Sequence, residues 1–90
     1  MQKIMSRPIT GLTQNITISG VSASSTALTR PYVRLVATAD CRIRLGEGAQ
    51  TALTTDMLLP ANIPEYFNRD NCDTLAVIGT SGTLVLTEMG

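Results

Sequence analysis

Apolar residues recur at every second position along most of this chain, and no other feature restricts its fold as strongly. In NITISGV (residues 15–21) the two isoleucines fall on one face of an extended segment and the hydroxyl side chains on the other. RPYVRLVATAD (30–40) repeats the pattern with Val33, Leu35 and Ala37 on one face. This period is typical of β-strands that bury one face, and no segment keeps a helical period over three turns. The chain is therefore predicted to be all-β.

CRIRLGEG (41–48) has the same period and follows the preceding strand closely, which predicts that the two strands form a hairpin. On that pairing Arg34, Arg42 and Arg44 share the outer face of a two-stranded unit. Three interpretations of this arginine group stand: a solvated strand face, a contact with an acidic patch of a protein, and a contact with nucleic acid. The zero net charge and the lack of aromatic residues in these strands argue against nucleic acid.

Turn-forming residues separate the remaining runs. GEGAQTALTTD (46–56) has no apolar period and is predicted to be a long loop. MLLP (57–60) is predicted to be a short strand, and NRDNCD (68–73) a turn of the kind that Asn and Asp favour. TLAVIG and TLVLTEM are predicted to close the chain as a second hairpin, in which Gly79 and Gly82 supply the positive φ of a tight turn.

Seven or eight short strands at roughly ten-residue spacing predict a small β-sandwich or jelly-roll-like barrel with antiparallel strands. SASST (22–26) is small and hydroxylic and is predicted to be a loop. Residues 1–14 are predicted to form an extended N-terminal arm that precedes a single domain over residues 15–90. The apolar residues expected to anchor the arm are Ile4, Met5, Ile9 and Leu12.

LLPANIPEYF (58–67) places two of the three aromatic residues side by side behind two prolines. The prolines restrict the backbone, so Tyr66 and Phe67 are expected to be held by a stiff segment at a sheet edge or corner. Adjacent residues of a pleated segment face opposite ways, so one ring can enter the core while the other faces outward. Two interpretations stand: Phe67 caps the core and Tyr66 covers its rim, or one ring anchors a contact with another subunit.

The length and composition favour a chain that assembles with others. A domain of 90 residues buries only about 60–65% of the surface of its unfolded chain, so its core is marginal. Charged residues are 16% of the chain, and serine and threonine together make nineteen residues. Six of the seven basic residues are arginine, which is enriched in protein interfaces where lysine is depleted.

Histidine is absent, so the usual general base and the Ser-His-Asp and Cys-His arrangements cannot be built, and the chain is not expected to be an enzyme. Asp70, Asn71 and Asp73 are expected to form a solvated turn in which their side chains bond the local backbone, with a weak calcium site as the alternative. No cofactor or metal is expected. Cys41 and Cys72 are expected to be reduced, and a disulfide between them would require their strands to be neighbours.

The N-terminal sequence MQKIMSRPIT lacks the apolar run of a signal peptide, and no run of eighteen apolar residues occurs. We therefore expect a cytoplasmic site of synthesis and no membrane partner. The balance of seven basic and seven acidic residues predicts no nucleic-acid partner.

At VRLVATADCRIRLG, LLPANIPEYF and LAVIGTSGTLVLTEM the chain resembles small proteins from the structural gene clusters of tailed bacteriophages and prophages. The resemblance covers roughly residues 30–90. It implies a virion component, either a capsid decoration or cement protein or a protein of the head–tail region, with the major capsid protein or other virion proteins as partners. On this interpretation the chain is a homo-oligomer, with a trimer favoured. Its candidate contacts are the arm, the arginine face, and the rim formed by Tyr66 and Phe67.

Two other classes of function remain open. A receptor- or carbohydrate-binding module of a tail would use exposed aromatic residues, with residues 46–56 and 68–73 as recognition loops. A small regulatory protein acting inside the cell would be monomeric and absent from virus particles.

Overall fold

The computed structural model describes residues 8–89, with side chains described from residue 11 onward. Eight strands and no helix occur in this range, which confirms the all-β prediction. No helix capable of spanning a membrane is found there. The strands are β1 (Pro8–Thr17), β2 (Ala23–Ser24), β3 (Tyr32–Ala37), β4 (Cys41–Gly46), β5 (Met57–Leu59), β6 (Glu65–Asn68), β7 (Thr74–Gly79) and β8 (Thr83–Met89).

The strands form two four-stranded antiparallel sheets. The first sheet has the order β1-β8-β3-β6 and the second the order β2-β7-β4-β5. β5 and β6 are therefore edge strands, as expected for a segment flanked by Pro60 and Pro64. β2 lies within the predicted loop SASST, where Ala23 and Ser24 pair with β7.

A single hydrophobic cluster joins the two sheets, because the alternating apolar residues of both turn towards it. The first sheet contributes Ile16, Val33, Leu35, Leu84 and Leu86, and the second contributes Cys41, Ile43, Leu59, Leu75 and Val77. Each fully buried aliphatic side chain stabilises the folded state by about 1.5–3 kcal/mol relative to an exposed one. These residues are the ones that a period of two assigns to the buried face.

Both predicted hairpins are wrong. β3 lies in the first sheet and β4 in the second, and β7 and β8 are likewise divided. The connections at residues 38–40 and 80–82 each cross from one sheet to the other. The two connections run next to each other, because the Thr38 N–H donates to the Thr83 carbonyl at 2.9 Å. Alternation predicts which face of a strand is buried but not which strand it pairs with. A connection that crosses to the other sheet therefore satisfies the same pattern as a hairpin.

Two glycines at the β7–β8 connection have different roles. Gly82 has a φ of +114°, as predicted, whereas Gly79 does not have a positive φ. Gly79 is required for space instead, because a Cβ at this position would lie 2.6 Å from Cγ2 of Ile18.

The predicted arm extends less far than expected. β1 begins at Pro8, so residues 8–14 belong to the first sheet, where Thr13 pairs with Thr87 of β8. The register shifts between Pro8 and Thr13, and Gly11 has a φ of +81° in this interval. This irregularity conceals the strand in the sequence, because it interrupts the period of two. Residues 1–7 lie outside the described part of the chain.

Glu88 places a carboxylate on the buried face of β8, opposite Val33. The side chain is 2% exposed, and its Oε1 accepts hydrogen bonds from the N–H groups of Thr29 and Arg30 at 2.8 and 3.0 Å. Two backbone donors compensate for part of the lost hydration of a buried carboxylate. The contact holds the chain in position just before β3 begins.

Candidate interaction surfaces

The outer face of the first sheet carries a row of polar side chains that crosses all four strands. Thr13, Thr87, Arg34 and Tyr66 are successive partners in this row. Nε of Arg34 donates to the Tyr66 hydroxyl at 3.2 Å, and the guanidinium carbon lies 6.0 Å from the ring centroid. Arg34 thus holds Tyr66 against the sheet by a hydrogen bond and a cation–π contact.

The two neighbouring aromatic residues of β6 face opposite ways, as predicted. Tyr66 is 51% exposed on the outer face, whereas Phe67 packs against the hydrophobic core. Phe67 is thus a partly buried residue at the border of the core, and Tyr66 is the more exposed of the pair.

The predicted grouping of three arginines is wrong. Arg34 lies on β3 in the first sheet, while Arg42 and Arg44 lie on β4 in the second. The inward-facing residues of both strands pack into the core between the sheets, so the arginines project from different outer faces. The cause is the crossing between β3 and β4.

Arg44 is paired within the chain. Its Nε and Nη2 atoms donate to the Asp56 carboxylate at 3.1 Å in a bidentate arrangement. The same carboxylate accepts the Leu53 N–H at 2.7 Å. The Leu53 N–H, and after it the Arg44 guanidinium, lower the pKa of Asp56 from its ordinary value of 3.8. This pair fastens the end of the loop at residues 47–56 to the second sheet.

The loop predicted over residues 46–56 spans residues 47–56, since β4 includes Gly46, and it covers part of the outer face of the second sheet. Ser22 accepts the Ala52 N–H at 2.8 Å, and the Ser24 hydroxyl donates to the Gln50 carbonyl at 3.3 Å. Ala52 is 1% exposed, and Ala76, which points outward from β7, is fully buried. The loop is therefore a packed cover for the sheet.

Arg42 lies on the uncovered part of the same face, in a groove of about 480 Å³. Its cross-strand partners Ile78 and Leu58 lie on either side of it and line the groove. Nη1 of Arg42 donates to the Asp56 carbonyl at 3.2 Å, and within the described residues no carboxylate pairs with this guanidinium. Asp40 also lines the groove, where its Oδ1 accepts the Ala61 N–H. The groove thus combines apolar walls with an arginine that forms no ion pair within the described residues.

Most of the exposed large apolar side chains lie in β5, in β6, in their connection and at the end of the loop that precedes β5. Of the seven such side chains that are exposed in the described residues, five lie within residues 53–66. They are Leu53, Met57, Leu58, Ile63 and Tyr66, each between 43% and 51% exposed. We call this set the apolar edge. It overlaps the LLPANIPEYF segment.

The sequence prediction singled out only Tyr66 of the apolar edge. A signal for Leu58 was present in the run MLL, because a short strand with one buried face cannot bury consecutive residues. Leu59 is fully buried, and its neighbour Leu58 is consequently exposed.

Of the predicted arm contacts, Leu12 is half-buried in β1. Ile9 also belongs to β1, but its side chain lies outside the described part of the structure, and Ile4 and Met5 lie outside it altogether.

The polar turn at residues 68–73 has Asx-type bonding at Asn68, whereas Asp73, for which a local backbone bond was predicted, bonds the distant loop at residues 47–56. Oδ1 of Asn68 accepts the Asp70 N–H at 2.8 Å, and Oδ1 of Asp73 accepts the Gly48 N–H at 2.9 Å. The Gly48 bond is the main cause of a lowered pKa of Asp73. Across the described residues no three metal-ligating side chains cluster.

Both cysteines are free, in agreement with the prediction. Cys41 opposes Gly79 at one end of the β4–β7 ladder, and Gly46 opposes Thr74 at the other end, near Cys72. Five residues of strand separate these ends by about 17 Å, far beyond the distance that a disulfide bridges. Burial, and then the nearby Asp40 charge, raise the pKa of the Cys41 thiol, which makes it a poor nucleophile.

We expect a fall in pH to destabilise the wild-type protein more than it destabilises the Asp56→Asn variant. Because the pKa of Asp56 is lowered on folding, its carboxylate stabilises the native state above the unfolded pKa of 3.8, and this contribution is lost as the pH falls through the folded pKa. Thermal unfolding midpoints measured between about pH 5 and about pH 2.5 should therefore fall more steeply for the wild type. The control is Asp70→Asn, whose carboxylate makes no hydrogen bond within the described residues. Parallel curves for wild type and Asp56→Asn would contradict the role of Asp56.

No family model, no curated protein and no solved structure matches this chain.

Proposed function

We propose that this chain is a non-enzymatic structural protein of a tailed-bacteriophage virion, specifically a capsid decoration or cement protein. It assembles in the bacterial cytoplasm, acts as a homo-oligomer, with a trimer favoured, and stabilises the head by binding across subunits of the major capsid protein. The observation that carries the proposal is the apolar edge.

The apolar edge is unusual for a protein that acts alone. Five half-exposed apolar side chains lie within fourteen residues of each copy, with Leu58 on the outer face of the second sheet and Tyr66 on that of the first, and exposed apolar surface is characteristic of interaction sites. The chain also carries little charge, since only 16% of its residues are charged and the net charge is zero. Copies and partners can therefore approach without strong repulsion.

The segment within the edge is held rigidly. The Asn62 N–H donates to the Ala37 carbonyl at 2.7 Å, and the Ala61 N–H donates to Oδ1 of Asp40 at 2.8 Å. Pro60 and Pro64 restrict the backbone on either side. A surface that is already ordered loses little conformational entropy on binding, which favours a tight contact from a small area.

The order of the strands supports a jelly-roll sandwich as the framework. β1 pairs with β8, β2 with β7, β3 with β6 and β4 with β5, which is the nested pattern produced when one long antiparallel hairpin folds over on itself. The hydrophobic cluster to which both sheets contribute supports a face-to-face packing of the two sheets. Jelly rolls occur in viral capsid proteins and in lectins, so the fold agrees with the proposal by analogy alone.

The proposal is tested on particles from the bacterium that carries the gene. Particles are induced, purified on a density gradient and analysed by quantitative mass spectrometry. We expect this chain at a copy number comparable with that of the major capsid protein. Its absence from purified particles would overturn the proposal.

A point variant tests the apolar edge on particles that lack the protein. Ile63→Lys should weaken rebinding by about 10- to 100-fold, since burial of an isoleucine is worth about 1.5–3 kcal/mol. The matched control is Val21→Lys, because Val21 is 75% exposed and lies outside the apolar edge. Equal binding by both variants would exclude the edge as the contact.

A carbohydrate- or receptor-binding protein of the tail or the head–tail region is the second candidate. Its support is the Tyr66 ring, which is 51% exposed and held by Arg34 beside the polar turn at residues 68–73. A glycan-array screen distinguishes the two candidates: binding that Tyr66→Ala abolishes would favour the tail protein.

A further inference from the structure

We propose that the groove around Arg42 on one copy receives residues 63–66 of a second copy, with Arg42 of the first paired to Glu65 of the second. The inference rests on the proposed homo-oligomer and names the contact that builds it.

The groove is suited to a short apolar segment that carries a carboxylate. Leu58 and Ile78 provide apolar walls on either side of Arg42, and Asp40, Thr54 and Thr80 line the groove as well. The guanidinium makes one bond, to the Asp56 carbonyl, which leaves its other N–H groups unpaired within the described residues. A partly buried arginine with no acidic partner favours the binding of a carboxylate.

Residues 63–66 have the complementary chemistry. Ile63 and Tyr66 are about half exposed, and Pro64, between Ile63 and Glu65, is exposed as well. The half-buried Glu65 forms neither a hydrogen bond nor an ion pair within the part of the chain that the structure describes. Glu65 is the cross-strand partner of Leu35, so its carboxylate lies on the inner side of β6 at the edge of the first sheet, while the Tyr66 ring lies on the outer face. The segment therefore offers an unpaired carboxylate at the sheet edge, next to exposed apolar side chains.

The contact is assigned to two copies because its two surfaces belong to different sheets. The groove lies on the outer face of the second sheet, whereas residues 63–66 lead into β6, the edge strand of the first sheet. Two different surfaces thus meet, which makes the contact heterologous, and such contacts generate closed rings when the rotation between copies closes. A second copy is favoured over an unrelated partner because both unmatched charges belong to this chain.

The test is reversal of the two charges. The oligomeric state of the wild type is measured by light scattering on a sizing column over about a hundredfold range of concentration. Arg42→Glu and Glu65→Arg should each weaken self-association by about tenfold or more, because like charges then meet across the contact. The double variant R42E/E65R should regain most of the wild-type association, since the opposite pair is restored with its sign exchanged.

Arg30→Glu is the charge-matched control, because the exposed Arg30 side chain lies outside the groove and should leave association unchanged. Circular dichroism establishes that each variant is folded. If Arg42→Glu unfolds because the bond from Arg42 to the Asp56 carbonyl is lost, Glu65→Arg still tests the contact. A monomeric wild type, or a double variant no better than the single ones, overturns the proposed contact.

The same samples separate this inference from the proposed function. A wild-type monomer that is nevertheless present in purified particles overturns the contact and leaves the virion role standing. An oligomer that responds to charge reversal as expected, but is absent from particles, supports the contact and overturns the virion role.

Discussion

Leu35→Ala is expected to lower the free energy of unfolding by about 3–4 kcal/mol, the largest effect of any single substitution that we predict here. Leu35 is fully buried on the inner face of β3, in the interior of the first sheet, and its neighbour across the ladder is Leu86 of β8. Truncation removes apolar contacts and leaves a cavity that two rigid sheets cannot fill by collapsing.

The consequence for folding is large because the domain is small. A chain of 90 residues has a total stability of roughly 5–13 kcal/mol, so this one substitution removes a large share of it. Chemical denaturation followed by circular dichroism should show a lower midpoint with an unchanged slope. Val36→Ala is the matched control, since Val36 is half-buried on the outer face of the same strand and should change the stability by less than about 1 kcal/mol. Similar losses for both variants would contradict the assignment of the inner face.

Gly82→Ala is expected to destabilise the protein by about 2–4 kcal/mol. The φ of +114° is strained for any residue with a Cβ, and that Cβ would lie 2.8 Å from Oγ1 of Thr38 and 3.0 Å from Cβ of Ala39. Oγ1 of Thr38 accepts the Thr83 N–H, so displacing it also disrupts a bond between the two crossing connections. The substitution thus affects the place where the chain passes twice between the sheets.

Two other glycines separate backbone strain from crowding. Gly48 also has a positive φ, +72°, but nothing lies within 4 Å of a Cβ there, so Gly48→Ala should show the strain alone, about 1 kcal/mol. Gly20 has neither feature, and Gly20→Ala should be neutral or slightly stabilising. Unfolding midpoints of the three variants should follow the order Gly20, Gly48, Gly82, from most to least stable. Equal midpoints for the Gly82 and Gly48 variants would show that the crowding at Thr38 is relieved without cost.

A small core agrees with a function in assembly. Ligands or partners that bind only the folded state add to its stability by mass action. The apolar edge offers such a partner a surface, and an oligomer or a capsid shell would extend the apolar burial that a domain of this size cannot complete internally. Stability measured as a function of protein concentration therefore reports on the same contact as light scattering.

The positions and faces of most strands could be predicted from the sequence. The alternation in YVRLVA and CRIRLG placed Val33, Leu35, Cys41 and Ile43 in the core, and the structure confirms all four. The loop at residues 47–56 and the Asn- and Asp-rich turn at 68–73 were also recognisable. These features depend on neighbouring residues only, since the pleat repeats every two residues and turn chemistry acts over a few positions.

The candidate site was predictable only in part. The opposite orientation of Tyr66 and Phe67 follows from the pleat and was predicted correctly. The separation of Arg34 from Arg42, the pairing of Arg44 with Asp56, and the groove between Leu58 and Ile78 were not foreseen. Each depends on which strands become neighbours, and no local pattern contains that information.

The sequence by itself determined that the chain is all-β, which residues of each strand face the core, and that a stiff segment carries Tyr66 at a sheet edge. Only the tertiary structure decided that short connections cross between sheets and that β1 pairs with β8, joining Thr13 to Thr87 across most of the chain. The physical reason is that a period of two specifies the face of a strand and is indifferent to its partner. Which strands pair is decided by the burial of both sheets in one core, which is a property of the whole chain. The same pairing leaves Arg42 and the apolar edge accessible to another molecule.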